Sequence, residues 1–349
     1  MKIKKLTLGK AVRYPNSHGD LWSATTGADG ELYVVSDDTY GFDRSCDSNT
    51  AVHRLTGKMP PDLQAETINP MKSFGALAEF KDADDGMWKT NSITCIDGIL
   101  YMSVSRHAHQ RKQRYFIQET WDSSIILSKD NGKTWSKTPR LGHAMFPGHT
   151  FSTPFFVEYG KNGKAGPHGS NKYVYAVSSD GGWNNGSSMT MGRVPRDRIA
   201  RLNPRDWEFI HAFDEQGKPI WRKRHDTARH IFRDPGKTGM TGIHYIAPLR
   251  TYVMPQWHFS RFDDEKLRWK RTRLEFYTSE QPWGPWTKVQ SQEFSEAWYN
   301  PCIPNKFISK DGKNFWLFLS GDFTDHTHTD AKGEFDGYYG LWMIPVRVN

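Results

Sequence analysis

Cysteine is scarce: Cys46, Cys95 and Cys302 are the only three in the chain, and they lie far apart. That excludes a disulfide framework and a cysteine-based zinc site. Cys95 and Cys302 sit in apolar strand contexts and read as inert core thiols. No run of about 18 apolar residues occurs, so no segment reads as a membrane-spanning helix. The opening residues, MKIKKLTLGKAVRYP, are basic but carry no apolar leader segment. Dense basic runs are confined to KRHDTARH and RWKRTR, and no nucleic-acid-binding motif accompanies them. The formal net charge of +8 and the pI near 9.2 therefore point to an anionic partner such as an acidic glycan rather than to nucleic acid.

What the chain does have is turn residues and aromatics. Its 349 residues include 30 Gly, 19 Pro and 14 Trp, and mean hydropathy is −0.73. This composition suits many short strands joined by turns better than a helical bundle. The stretch GDLWSATTGADGELYVVSDDTYG, residues 19–41, reads as a hairpin. Ala24 to Thr26 and Glu31 to Ser36 are its strands, and Ala28-Asp29-Gly30 is its turn. Asp20 lies nine positions before Asp29 and Asp38 nine after it, so the count predicts two carboxylates facing each other at the open end. Cβ atoms of such pairs lie roughly 4.5–5.5 Å apart. Like charges that close raise one of the two pKa values, as acid–base chemistry needs.

The pattern recurs four times. Lys89 to Arg106 turns about Asp97-Gly98; Phe151 to Tyr159 pairs with Lys172 to Asp180; Thr241 to Ile246 pairs with Thr251 to Trp257; Tyr299 to Pro304 pairs with Asn314 to Asp322. Each hairpin is followed by further strand-like sequence: Ser124 to Leu127, Met189 to Val194, Arg273 to Tyr277, and Tyr339 to Val348 at the end. Starts near Asp20, Lys89, Ser152, Thr241 and Tyr299 are 69, 63, 89 and 58 residues apart, the size of all-β propeller blades. The expectation is one all-β domain over residues 1–349, a five-bladed β-propeller with blades starting near 17, 86, 148, 238 and 296. Its ring would be closed by pairing Ile3 to Val12 with Leu341 to Val348. Short helical turns are expected at Arg196 to Asp206 and Thr227 to Arg233.

SKDNGKTW, Ser128 to Trp135, fits the Asp-box pattern of sialidase-like propellers, in which the Asp serves the turn and not catalysis. Together with GDLWSATTGADGELYVVSDD, KTNSITCIDGILYMSV, FSTPFFVEYGKNGKAG, KYVYAVSSDGG, GRVPRDRI, PWGPWTKV and IPNKFISKDGKNFWLFLSGD, it resembles the domain-of-unknown-function family 4185 from about residue 17 to 345. That family includes bacterial endo-D-arabinanases of glycoside hydrolase family 183. The resemblance implies a five-bladed propeller and carbohydrate cleavage, with the positions matching Asp20 and Asp38 as catalytic acid and base. Two segments depart from the family pattern. Asp37-Asp38-Thr39 stands where Gly-Asp-Gly is expected, and SVSRHAHQRKQRYFIQETWD is unusually rich in His and basic residues.

The open ends of the inner hairpins of a propeller converge near its axis, so the same mirror count nominates the remaining site. Lys89 faces Arg106, Asn300 faces Asp322, Ser152 faces Asp180 and Thr241 faces Gln256. Trp22, Trp183 and Trp257 are the candidate stacking surfaces for sugar rings. Asp37, His107, His109 and His244 complete the candidate lining. No cofactor is required. Asp322, Asp325, His326, His328 and Asp330 in GDFTDHTHTDAKGEFD could hold a structural calcium.

Three functions are consistent with this face. The first is hydrolysis of a polysaccharide or oligosaccharide by the Asp20 and Asp38 pair, with Lys89 and Arg106 binding substrate. The second is a polysaccharide lyase on a uronic-acid glycan, using Arg106, His107, Tyr115 and His244. The third is a glycan-binding propeller without catalysis. An extracellular or periplasmic location is expected from such a substrate.

Overall fold

The computed structural model describes residues 3–77, 79, 86–108, 119–139, 141–167, 172–263, 268–321 and 339–349. Among them the regular structure is β-strand, interrupted only by single-turn 3-10 helices such as Ile199–Arg201 and Pro204–Asp206. The strands run as successive antiparallel meanders. Ser17–Thr26, Leu32–Phe42, Ser48–Thr56 and Gln64–Asn69 form the first; Gly86–Ile96, Ile99–Ala108, Glu119–Ser128 and Phe146–Pro147 form the second. Phe155–Glu158, Tyr173–Ser179 and Gly186–Pro195 open the third, and Ile243–Ile246, Thr251–Asp263, Arg268–Ser279 and Thr287–Phe294 make the fourth. A short parallel contact, Val157 with Ile243 and Glu158 with His244, joins these two into one ten-stranded sheet. Tyr299–Cys302, Asn314–Gly321 and Gly340–Val348 form the last meander, and the chain's own first strands, Leu6–Leu8 and Val12–Arg13, pair with Gly340–Val348.

Local sequence explains the tight turns. Ile96 pairs with Ile99 across Asp97 and Gly98, both at positive φ (50° and 81°), the geometry that a two-residue hairpin loop demands. In SKDNGKTW, the Asp130 carboxylate accepts from the amide and hydroxyl of Thr134, and the Trp135 indole donates to the Gly132 carbonyl. Asp130 is thus spent on its turn.

The first strand of each meander is buried on both faces: every residue of Ser17–Thr26 and of Gly86–Ile96 is buried, whereas the outer strand Gln64–Asn69 is half exposed. Buried strands with two covered faces are usually Val and Ile runs, but these carry Ser, Thr and Asn. Their hydroxyls bind between neighbours. Ser92 Oγ donates to the Pro154 carbonyl, Thr25 Oγ1 to Glu158, and the Cys95 amide to Thr25 Oγ1. Inner strands from different meanders are thereby stitched together around a common centre.

One expectation is corrected. Residues 227–233 do not form a helical turn; His230–Thr238 is a strand paired with Gly186–Pro195, held by its neighbour although Asp234-Pro235-Gly236 interrupts its pattern. Glu208–Phe213 and Pro219–Arg222 add further outer strands to the third meander. The expected pairing of the chain's two ends is present, in two short pieces with Leu6 opposite Val348 and Val12 opposite Met343. Leu6 is 1% exposed in the main core. Leu6→Ala is therefore expected to cost roughly 2–5 kcal/mol, read as a lower denaturation midpoint at unchanged slope in urea.

Candidate active site

Asp20 closes the first inner strand, but the strand is not regular where the side chain is presented. Ser23 pairs with Val35, whereas Asp20 pairs with Asp37, so one extra residue is accommodated between them. The bulge falls at Leu21 and Trp22, both at positive φ (72° and 47°). Asp38 on the adjacent strand is also at positive φ, 39°. Non-glycine residues held there cost of order 1–3 kcal/mol each and cluster at functional sites. Gly19 makes the approach possible, because a Cβ at that position would lie 2.5 Å from Thr39 Oγ1.

The bulge brings three carboxyl groups together. Asp20 lies opposite Asp37 in the ladder and not opposite Asp38, the one-residue correction to the mirror count. Asp37 is fully enclosed, and its Oδ1 accepts from Thr50 Oγ1 and from the Thr90 amide of the second meander, each at 2.9 Å. Its part is to tie the first two meanders together. Asp38 keeps 24% of its side chain exposed and forms an ion pair with Lys89 Nζ, whose own side chain is 4% exposed. The phenol of Tyr299 donates to Asp20 Oδ2 at 3.1 Å, and Tyr339 lies beside the same carboxyl.

The electrostatics follow from this packing. Burial first, and the Asp38 charge second, push the Asp20 carboxyl up to about 6, against the opposing pull of Lys89 and the two phenols. Burial and then Asp20 raise Asp37 well above the usual carboxylate range. Burial works against the Lys89 ammonium, but Asp38, Asp20 and Asp37 together hold it charged and raise its pKa. One cation thus serves three acids, and two of those acids, Asp20 and Asp37, are left holding their protons more tightly than an ordinary carboxyl.

The other predicted positions separate. Arg106 pairs in the ladder with Trp88, not Lys89, because a second bulge falls between Thr90 and Ser92. Its guanidinium is buried and grips Asp122 at 2.6–3.0 Å, so its charge is matched within the protein. His107 has no exposed surface and meets Ser105 Oγ at 3.1 Å inside the sheet. Trp22 and Trp257 are wholly buried, with their indoles donating to the Gly19 and Met240 carbonyls, and Trp183 packs edge-on against Trp257. Trp22 and Trp257 have no free face for a sugar and serve as core. Asp180 receives the Ser187 amide and the Ser188 hydroxyl and so closes a loop; Ser152 instead meets Thr120. His244 and Asn300 are buried and line one internal cavity between inner strands. Asp322, His109, Tyr115 and the candidate calcium loop from Asp322 to Asp336 lie outside the described residues.

Tyr299 and Tyr339 were not singled out by sequence reasoning. Tyr299 directly precedes Asn300 at the end of an inner strand, so a count allowing one bulge residue would have reached it. Tyr339 has no such signal.

The family can now be stated. The chain belongs to the family described as "Domain of unknown function (DUF4185)", whose model matches residues 17–348. A search of curated protein sequences finds no match. Among solved structures, it is similar to a Bacteroides ovatus protein assigned as a hydrolase, at 13% identity and a TM-score of 0.55, covering 97% of this chain and 87% of that one. It is also similar to the xylan β-1,4-xylosidase of Bacillus halodurans, at 9% identity and a TM-score of 0.53, and to a glycoside hydrolase family 43 protein of Bacillus licheniformis, at 10% and 0.53. Each covers 97% of this chain, which spans 56% and 57% of those two proteins. At these identities the likeness is one of fold, all-β and β-propeller-like.

The site carries a pH signature. Asp20 and Asp37 have folded-state pKa values above their unfolded ones, so their contribution to stability is fully present below about 3.8 and is lost as pH rises through the folded values, near 6 for Asp20. Asp20→Asn is expected to flatten the decline in unfolding free energy between pH 4 and 7, measured by urea melts. Lys89→Met strands the buried Asp20 and Asp37 and the part-exposed Asp38 and is expected to cost roughly 3–5 kcal/mol in the same assay.

Proposed function

We propose that the chain is a glycoside hydrolase acting on a polysaccharide or oligosaccharide, with Asp20 and Asp38 as its reacting pair on the mouth of a five-bladed propeller. The observation that carries the reading is the split between two neighbouring carboxyl groups. Asp20 is pushed up to about 6, and Asp38 is ion-paired with Lys89 while keeping access to solvent. Two carboxyl groups whose environments differ in this way are what acid and base roles require. Asp20 protonates the departing glycosidic oxygen. Asp38, its charge anchored by Lys89, acts on the other side of the bond, on water or on the anomeric carbon. Tyr299 fixes the Asp20 carboxyl through one oxygen, and the second oxygen, buried and without a hydrogen-bond partner, keeps its proton for the reaction.

Several features support the wider reading. Succession of the meanders, the parallel contact between the third and fourth, and the pairing of the two chain ends fit five blades in a ring. The similar xylosidase and the family 43 protein are carbohydrate-active by name. The net charge of +8 suits an acidic glycan. A substrate of this class places the protein outside the cytoplasm.

A binding-only propeller is the second reading, and the Asp38–Lys89 ion pair is the observation in its favour, because a neutralised carboxylate can be purely structural. Turnover separates the two. Incubating the protein with neutral and uronic polysaccharides is expected to yield shorter products by chromatography, without the near-ultraviolet absorbance of a lyase's new C=C bond. Asp20→Asn and Asp38→Asn are each expected to lower that turnover at least roughly 10²–10⁴-fold with the circular dichroism unchanged. Saturable binding with no product from any glycan would favour the binding-only reading, and full activity in either variant would remove the pair from the mechanism.

A further inference from the structure

Below the acid cluster, the inner strands enclose a second polar feature that the reaction does not use. A small cavity there offers about 10 Å³ to the centre of a water-sized molecule, roughly the space that one water needs. Leu21, Ile93 and Phe155 form part of its apolar wall, and Glu158, His244 and Asn300, with the hydroxyls of Ser23 and Ser92, form its polar lining. Glu158, His244 and Asn300 come from three different meanders and are 5%, 2% and 3% exposed. Each has a buried polar atom without a hydrogen-bond partner: Glu158 Oε1, His244 Nδ1, and both Oδ1 and Nδ2 of Asn300. Buried groups of this kind are costly when unmet, so four such atoms around one cavity call for a ligand.

The donor set identifies it. His244 Nε2 accepts from the Ile303 amide at 3.3 Å, so the neutral ring carries its proton on Nδ1 and presents a donor there. Burial lowers the His244 pKa to about 3, which keeps the ring neutral. Asn300 offers one donor group and one acceptor. Glu158 has its other oxygen engaged by Thr25 Oγ1 at 3.0 Å and leaves Oε1 available. A metal ion needs a wall of acceptors, and the Nδ1–H and amide N–H groups are the opposite. We propose that this cavity is a binding site for a single water molecule, held by Glu158, His244 and Asn300 between the inner strands. Water has two donors and two acceptors and satisfies this mixed set; neither an anion nor a cation does.

The protonation state of Glu158 is coupled to the site. Burial pushes its carboxyl up to about 8, and the titratable groups facing it are His244, Cys95 and Cys302, the two thiols being themselves raised by burial. All are neutral at pH 6; hydrogen bonds from Thr94 and Thr25 favour the Glu158 charge, but burial outweighs them, and the bound water meets an uncharged wall.

A crystal structure of the full chain at pH 6 and high resolution, with parallel soaks in rubidium and manganese chlorides, tests this. One peak within hydrogen-bond distance of the three side chains, with no anomalous signal from either metal, is expected. An anomalous peak would make the site a cation site, and no peak at all would show it dry; either overturns the proposal. Glu158→Gln, which presents the same neutral donor and acceptor, is expected to retain the peak and to remove the stability loss that Glu158 adds between pH 5 and 8. Loss of the peak in a folded Glu158→Gln protein would contradict the assignment of the wall.

Discussion

The structure depends on one electrostatic compromise: three carboxyl groups and a single ammonium are packed into a volume that excludes most water. Asp20, Asp37 and Asp38 surround Lys89, and four full charges in that space would leave a net charge of −2 buried. The molecule resolves this by keeping protons. Moving the Asp20 carboxyl from 3.8 to about 6 corresponds to roughly 3 kcal/mol of folding free energy at neutral pH. That is a large share of the 5–15 kcal/mol typical of a folded domain. The rest of the chain has to offset it, together with the strain of three non-glycine residues at positive φ in the same few residues.

It does so through inner strands that are buried on both sides yet rich in hydroxyls. Ser92, Thr25 and Thr50 each bridge to another strand, so the polar atoms that make these strands unlike an ordinary core are mostly satisfied. Large side chains surround this polar centre. Trp22, Trp183 and Trp257 belong to that packing, and the last two form an aromatic cluster with Phe259 and Tyr299. Tyr299 therefore links the two layers. Its ring is core and its hydroxyl is site.

The first, second and fifth hairpins were legible in the sequence because two signals coincided, β-formers and a turn of the Asp-Gly kind, as at Asp97-Gly98; the third and fourth were legible from their β-formers alone. The pairing of the two chain ends was legible for a similar reason. Exact opposition at the strand ends was not. Bulges at Leu21-Trp22, between Thr90 and Ser92, and between Tyr299 and Cys302 each slip the register by one, and a count of residues cannot see a residue that pairs with nothing. Asp20 and Asp38 do come near each other, but the ladder partner of Asp20 is Asp37 and not Asp38. Burial was the other blind spot. Trp and His attract attention as sugar and proton handlers, whereas Trp257, His107 and His244 are core residues here, and Arg106 spends its charge on Asp122, sixteen positions on in the chain.

Asp20 holds its proton first because it is buried and second because Asp38 is charged beside it. The direct measurement is a side-chain carboxyl NMR titration of Asp20 in the native chain and in Asp38→Asn. A midpoint near 6 that moves down when Asp38 loses its charge is the predicted result. An ordinary midpoint near 4, indifferent to Asp38, would contradict it.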